Sequence, residues 1–229
     1  MRTRRSTELG LLCLAGAFVL AVVGFALSYI WDVAIAVTRV GQPLLGSLHT
    51  LWIPLSGLVL DAGIVVLGAL GFALVWRGRW ELGPDFASSA GVALLALLIA
   101  FAAYAAYAVT GEILGFVSGV SFLRPWHALF NFLGALFLGG ALYGMLSHLP
   151  ATGTRPAAAA AFALGVAGSA LLFVGTLGLR RGEALVVEGA GYGLALASLI
   201  LWLVLCVWAS ERLRERGTSP APEAAPRGS

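Results

Sequence analysis

The sequence predicts an all-α fold: a polytopic membrane helix bundle with six transmembrane helices. Of its 229 residues, 60% are hydrophobic and only 11% are charged, which is more apolar surface than a water-soluble core of this size can enclose. Six apolar segments are each long enough to cross about 30 Å of hydrocarbon at a rise of about 1.5 Å per residue. These segments are residues 9–31, 51–76, 87–110, 126–148, 157–179 and 185–208.

The tryptophans mark the ends of these segments, because indole rings favour the headgroup level of a bilayer. Only Trp202 lies clearly inside a segment. A further apolar stretch, Glu112–Leu123, is too short to span and is expected to be interfacial or re-entrant. The six other tryptophans lie at or just beyond a segment end: Trp31, Trp52, Trp76, Trp80, Trp126 and Trp208.

Arginine placement predicts the orientation, since basic residues are retained in cytoplasmic loops during insertion. With both termini in the cytoplasm, ten of the 14 basic residues lie inside and four outside. We therefore expect the cytoplasmic membrane of a prokaryote, a transmembrane domain over residues 1–210 and a disordered cytoplasmic tail over 211–229, which is rich in Pro, Ala and Gly. The four outside are Arg39, Arg124, Arg180 and Arg181.

Glycine spacing indicates where helices approach one another, because helix association within lipid depends on small residues that allow close backbone contact. Spacings of three or four residues predict contact stripes in four segments. The stripes are Gly57, Asp61 and Gly68 in the second segment, Gly140 and Gly144 in the fourth, Gly165, Gly168 and Ser169 in the fifth, and Gly189, Gly193 and Ala197 in the sixth.

Asp61 is the main candidate for a functional residue, because it lies near the middle of an otherwise uncharged apolar run. Intramembrane acids are costly and normally face the bundle interior. Since Asp61 shares its predicted face with Gly57 and Gly68, we expect it to point into the bundle. There it would carry a proton, couple to a cation, or lock two helices with a hydrogen bond.

Other polar residues cluster toward the predicted outer leaflet. His127 and Asn131 share one face of the fourth segment with Gly134, and Glu188 lies near the start of the sixth. If these faces converge, they form a polar funnel that leads to Asp61; otherwise each residue contacts interfacial water separately. The funnel would also include His49 and Glu112, and Tyr104 and Tyr107 in the third segment would either bond to Asp61 or fill the bundle.

Several chemistries are excluded or weakly supported. The chain has no lysine, so it cannot hold a retinal Schiff base. It has no phosphate-binding loop and no metal-ligand spacing within one helix, so we expect no catalytic residues, no metal and no cofactor. The small positive net charge of +3 indicates topology and contact with anionic lipid rather than nucleic-acid binding.

Part of the chain resembles uncharacterised multi-pass membrane proteins of high-GC bacteria. The stretches that carry the resemblance are Phe130 to Gly134 and Gly139 to Tyr143. The resemblance implies an integral membrane protein but no assigned activity, so it transfers no functional residues.

The function that we predict is therefore a small transport or membrane-complex protein in which Asp61 handles a proton or a cation. The first alternative is a non-catalytic accessory subunit, and the second is a membrane oxidoreductase that holds haem or quinone near His49 and His127. Apart from the lipid bilayer, the expected partners are other membrane subunits or further copies of the chain.

Overall fold

A computed structural model of the chain describes residues 6–37, 42–108, 124–149, 153–175, 177 and 181–218. The described residues form six α-helices and a short 3-10 helix (Arg79–Leu82), and they contain no strand. Every α-helix contains an apolar stretch long enough to cross a membrane, so the predicted all-α class and the count of six are confirmed. The helices are α1 (Ser6–Val37), α2 (Gln42–Arg77), α3 (Pro84–Ala108), α4 (Arg124–Ser147), α5 (Arg155–Gly175) and α6 (Arg181–Thr218).

The side chains of some helical residues lie outside the described part of the chain. They include His49, Gly57, Tyr107 and His127. The whole of residues 109–123 also lies outside it, so the predicted interfacial piece with Glu112 stays a prediction.

The last helix extends beyond its predicted end. Residues 211–218, which we expected in the disordered tail, continue α6. Leu213 is 1% exposed and packs into the core, and Arg212 forms an i,i+3 ion pair of 3.4 Å with Glu215. The burial of Leu213 explains why the helix continues past the apolar segment. Residues 219–229 lie outside the described part.

The helices form a series in space that differs from their order along the chain. Helix α2 packs on α1, α1 on α6, α6 on α5, α5 on α4, and α4 on α3. The two ends of this series, α2 and α3, contact each other only slightly. Within the described part of the chain, helix α2 therefore has one principal neighbour, α1, and much of the described surface of α2 faces away from the other helices.

One end of the bundle carries most of the described arginines, together with acidic residues such as Glu81 and Glu211. It is formed by the start of α1, the α2–α3 turn, the α4–α5 connection and the end of α6, and we call it the basic end. The guanidinium of Arg79 lies 3.9 Å from the ring centroid of Trp76 and 5.6 Å from that of Trp80, an arrangement suited to a membrane interface. The arginines described there are Arg77, Arg79, Arg155, Arg212 and Arg214.

A polar clamp joins the start of α1 to the α2–α3 turn at the basic end. The Thr7 hydroxyl, which is fully buried, donates to the Gly78 carbonyl at 3.2 Å and to Glu81 Oε2 at 3.4 Å. The backbone N–H of Ser6 donates to Glu81 Oε1 at 3.4 Å. The clamp satisfies the Ser6 N–H at the first turn of α1, which has no partner within the helix itself.

Two pairs of helices meet backbone to backbone. A Cβ added at Gly71 would lie 2.9 Å from the Gly10 carbonyl oxygen, and one added at Gly10 would lie 2.7 Å from that of Gly71. In the α5–α6 pair, a Cβ at Gly168 would lie 2.7 Å from the backbone nitrogen of Ala195, and one at Gly191 would lie 2.9 Å from the Gly168 carbonyl oxygen. Only glycine allows these approaches.

The predicted glycine stripes are partly wrong. The α5 stripe is confirmed, since Gly165 and Gly168 both face α6. For the α6 stripe, the contact with α5 runs through Gly191 and not through the predicted Gly189 and Gly193. A Cβ at Gly68, Gly140, Gly144, Gly189 or Gly193 would meet no atom within 4 Å.

The two glycines of α6 provide a matched stability test. We expect Gly191→Ala to destabilise the protein by about 1–3 kcal/mol, because the new methyl group forces α5 and α6 apart. Gly193→Ala, two residues away and in open space, should leave the protein unchanged or slightly stabilise it. Thermal unfolding of both variants in the same detergent measures the difference, and equal melting temperatures would contradict the backbone contact.

Candidate functional site

An apolar cavity of about 240 Å³ lies inside the bundle. Five helices line it, and none of the described side chains of α2 does so. Aromatic rings form much of the wall, while Ala135, Gly139 and Gly165 leave the space open by their small size. The aromatic residues are Phe18, Phe25, Tyr104, Phe162 and Trp202.

Two serines line the cavity, but both hydroxyls already donate their protons to backbone carbonyl groups. Ser198 Oγ donates to the Ala161 carbonyl oxygen across the α5–α6 contact at 2.7 Å. Ser169 Oγ donates within its own helix to Gly165 at 2.8 Å. The α5–α6 wall therefore behaves as an almost apolar surface toward anything inside the cavity.

Asn131 and Tyr104 contribute the remaining polar groups, at the end of the cavity farther from the basic end. A Cβ added at Gly134 would lie 2.8 Å from the Tyr104 ring. The absence of a side chain at this glycine therefore lets the ring pack directly against α4. The predicted face of Asn131 and Gly134 thus does point into the bundle. Two of the six predicted site residues, Asn131 and Tyr104, lie together.

Glu188 lies apart from the cavity. It is half-buried, and its Cγ would lie 2.7 Å from a Cβ added at Gly175, the last residue of α5. It therefore packs over the end of α5 and is absent from the cavity lining. The side chains of Tyr107 and His127 are outside the described part, as are those of His49 and Glu112, so the larger funnel stays a prediction.

Asp61 does not point into the bundle, contrary to the prediction. Its side chain is exposed, because α2 uses another face, with Gly63, Leu67 and Gly71, to pack on α1. Asp61 lies about 100° around the helix from that face, on the same flank as Gly68. The shared face with Gly68 is correct, but no helix of the described chain covers it.

The depth of Asp61 also differs from the prediction. It lies about 24 Å along the α2 axis from Arg77, at about 1.5 Å per residue. If Arg77 marks one boundary of a hydrocarbon layer about 30 Å thick, Asp61 lies nearer the opposite boundary than the centre. It is still within the hydrocarbon.

A second, more open space lies between α3 and α4 near the basic end. This groove of about 500 Å³ has an apolar floor that includes Ala96, Gly140 and Gly144, and a polar mouth that includes Asp85 and His148. The imidazole Nδ1 of His148 lies 2.8 Å from the Gly144 carbonyl oxygen. Gly140 and Gly144, which were expected to contact a helix, form the groove instead.

No metal centre is found within the described residues, where no three His, Cys, Asp or Glu side chains lie close enough to hold an ion. Cys13 and Cys206 are both free thiols.

The Trp202 side of the cavity was missed by sequence reasoning, although one signal pointed to it. Trp202 is the one tryptophan well inside a predicted segment, and in the structure it is 3% exposed. Ser198, one turn earlier on α6, supplies the neighbouring wall. A large ring and a small polar residue one turn apart, both away from the interface, are typical of an interior face rather than a lipid-facing one.

The packing of the Tyr104 ring on Gly134 can be tested with a double-mutant cycle. We expect Gly134→Ala to cost about 1–3 kcal/mol of stability, because its methyl group displaces the Tyr104 ring. The same substitution should cost much less in a Tyr104→Leu background, where the ring is absent. Thermal unfolding of the four proteins measures the coupling, and an equal loss in both backgrounds would contradict it.

Comparison with known proteins adds no further constraint: no family model, curated protein or solved structure matches the chain. Its function must therefore be argued from its own cavity, its groove and the exposed carboxyl.

Proposed function

We propose that the chain is a subunit of an integral membrane complex. In this complex, a transmembrane helix of a different subunit covers the Asp61 flank of α2 and presents a hydrogen-bond donor to the carboxyl. The observation that carries the proposal is the exposure of Asp61 on a helix with a single principal neighbour.

The Asp61 carboxyl group favours protein over lipid as the material that covers this flank of α2. Lipid tails can cover the exposed apolar side chains of α2, such as Val59 and Val66, as well as a protein can. They offer no donor to Asp61, which forms no hydrogen bond or ion pair within the described residues. A polar group left unsatisfied in hydrocarbon is unfavourable by several kcal/mol.

The surface around Asp61 suits a helix. Gly68, two turns along the same flank, has open space where a Cβ would be. Ala62, Ala69 and Ala73 are small and exposed on the adjoining face. Small residues let two helix backbones approach closely within a bilayer, so a partner helix could reach Asp61.

The geometry favours assembly over proton- or cation-coupled transport. A coupling carboxyl has to communicate with a pathway through the protein. The polar residues that line the cavity are on α3 to α6, whereas Asp61 lies on α2, which contributes no described residue to the cavity lining. Assembly requires only the exposed flank.

The Asp61 flank can be tested by purification from native membranes after mild crosslinking. Wild-type protein should yield a defined complex with another polypeptide by native mass spectrometry. Asp61→Leu should lose most of this partner, because the apolar side chain cannot accept a hydrogen bond, and Asp61→Asn should retain more of it.

A pair of glycine variants controls for general effects on folding. Gly68→Leu should also remove the partner by filling the space beside Asp61, with no loss of thermal stability in the isolated chain. Gly193→Leu, at an equally open glycine on α6, should leave the complex intact. A lone chain in every preparation would contradict the proposal, and a homo-oligomer would replace the different subunit by a second copy.

We also propose that the basic end faces the cytoplasm of a prokaryote, so that both termini lie inside. The arginine bias supports this orientation. A fluorescent protein that folds only in the cytoplasm, fused after Ser229, should be bright, whereas alkaline phosphatase at the same site should be inactive. The reverse pattern would invert the orientation.

A further inference from the structure

The cavity is long in the direction of the helix axes. Along α4 its lining extends from Asn131 to Leu142, a distance of about 16 Å at about 1.5 Å per residue. Its volume of about 240 Å³ equals roughly eight water-sized groups at about 30 Å³ each. Since a methylene group is of similar size, the space matches one short chain and is too small for a two-chain lipid.

Apart from the two serine hydroxyls and the indole N–H of Trp202, the polar side-chain groups of the cavity lie at one end. Phe18 and Trp202 lie at the end nearer the basic end of the bundle, and the hydroxyls of Ser169 and Ser198 donate to backbone carbonyls. A cavity with such walls does not retain water, and a vacant one is unfavourable.

At the opposite end, beside Tyr104, Asn131 provides a hydrogen-bonding group. Its side-chain amide forms no hydrogen bond with any described residue. The amide can donate through its NH₂ group and accept through its oxygen. It therefore suits a ligand group that accepts, donates or does both, such as a carbonyl or a hydroxyl.

We infer that this cavity binds a single apolar chain of about eight to ten carbons that ends in a hydroxyl or carbonyl group, with the end group on Asn131 and the chain directed toward Trp202. Binding buries the chain in a preformed apolar space and satisfies the amide. This inference is independent of the complex proposed above, because neither Asp61 nor any other described residue of α2 lines the cavity.

The experiment uses octanol that carries bromine on its terminal carbon, because the bromine adds to the length of the chain and quenches indole fluorescence at short range. Full-length protein in lipid nanodiscs is titrated with this probe. The bromine should reach Trp202, so we expect a saturable loss of fluorescence in addition to the gradual quenching of exposed tryptophans such as Trp80 and Trp126. Unbrominated decanol should reverse the saturable part in the wild-type protein, with no substitution needed.

Three variants and one control variant locate the probe. Trp202→Phe should remove the saturable part and leave the gradual part. Asn131→Leu should weaken the apparent affinity roughly five- to tenfold by removing the hydrogen bond. Ala135→Phe should abolish saturable quenching by filling the cavity, whereas Ala102→Phe, at an exposed position on α3, should not change it.

The melting temperature of each variant shows whether it has folded. Quenching that rises in proportion to probe concentration, is not reversed by decanol and is the same in Trp202→Phe would overturn the inference. Saturable quenching with unchanged affinity in Asn131→Leu would overturn the assigned direction of the chain.

Discussion

The close approach of paired helix backbones at glycine is the interaction on which the rest of the structure depends. Within lipid, apolar side chains gain little by moving from lipid to protein, so helices associate where their backbones fit tightly. The Gly10–Gly71 and Gly168–Gly191 contacts join α1 to α2 and α5 to α6. Because α1 also packs on α6, these two contacts fix four helices relative to one another. The cavity lies beside the α5–α6 contact, and Phe18 and Trp202 form part of its wall.

The sequence was sufficient to predict the number and approximate limits of the helices, because the thickness of a bilayer sets the length of an apolar segment. It was less informative about faces. In a water-soluble helix the apolar side identifies the buried face, but a transmembrane helix is apolar on both its lipid-facing and its protein-facing sides. Gly189 and Gly193 have the same spacing as Gly191 and Ala195, and only the structure distinguishes the pair that touches α5. The prediction that Asp61 points into the bundle was wrong for a related reason. Helical spacing correctly placed Asp61 on the same flank of α2 as Gly68, but it could not show that no described helix packs against that flank.

The polar residues divide into two groups with different surroundings. Asn131 and Tyr104 lie at one end of an apolar cavity inside the bundle, and Asp61 lies outside it on an exposed flank. Helical spacing predicted the first group, since it placed Asn131 and Gly134 on one face and Tyr104 packs on that glycine. A combined site with Asp61 would have required α2 to turn this flank toward α4, and the packing of Gly63, Leu67 and Gly71 on α1 prevents that.

The clamp between Thr7 and Glu81 has a consequence for biogenesis. Every group in the clamp and in the Gly10–Gly71 contact belongs to the chain up to Glu81. The α1–α2 hairpin can therefore close while α3 is still in the ribosome, before the other helices exist to support it. A hairpin that is already closed leaves the insertion channel as one unit. The start of α1 and the α2–α3 turn then remain together on the side of the membrane from which the chain entered. The later helices are then added to a finished template, with α6 last to pack against α1.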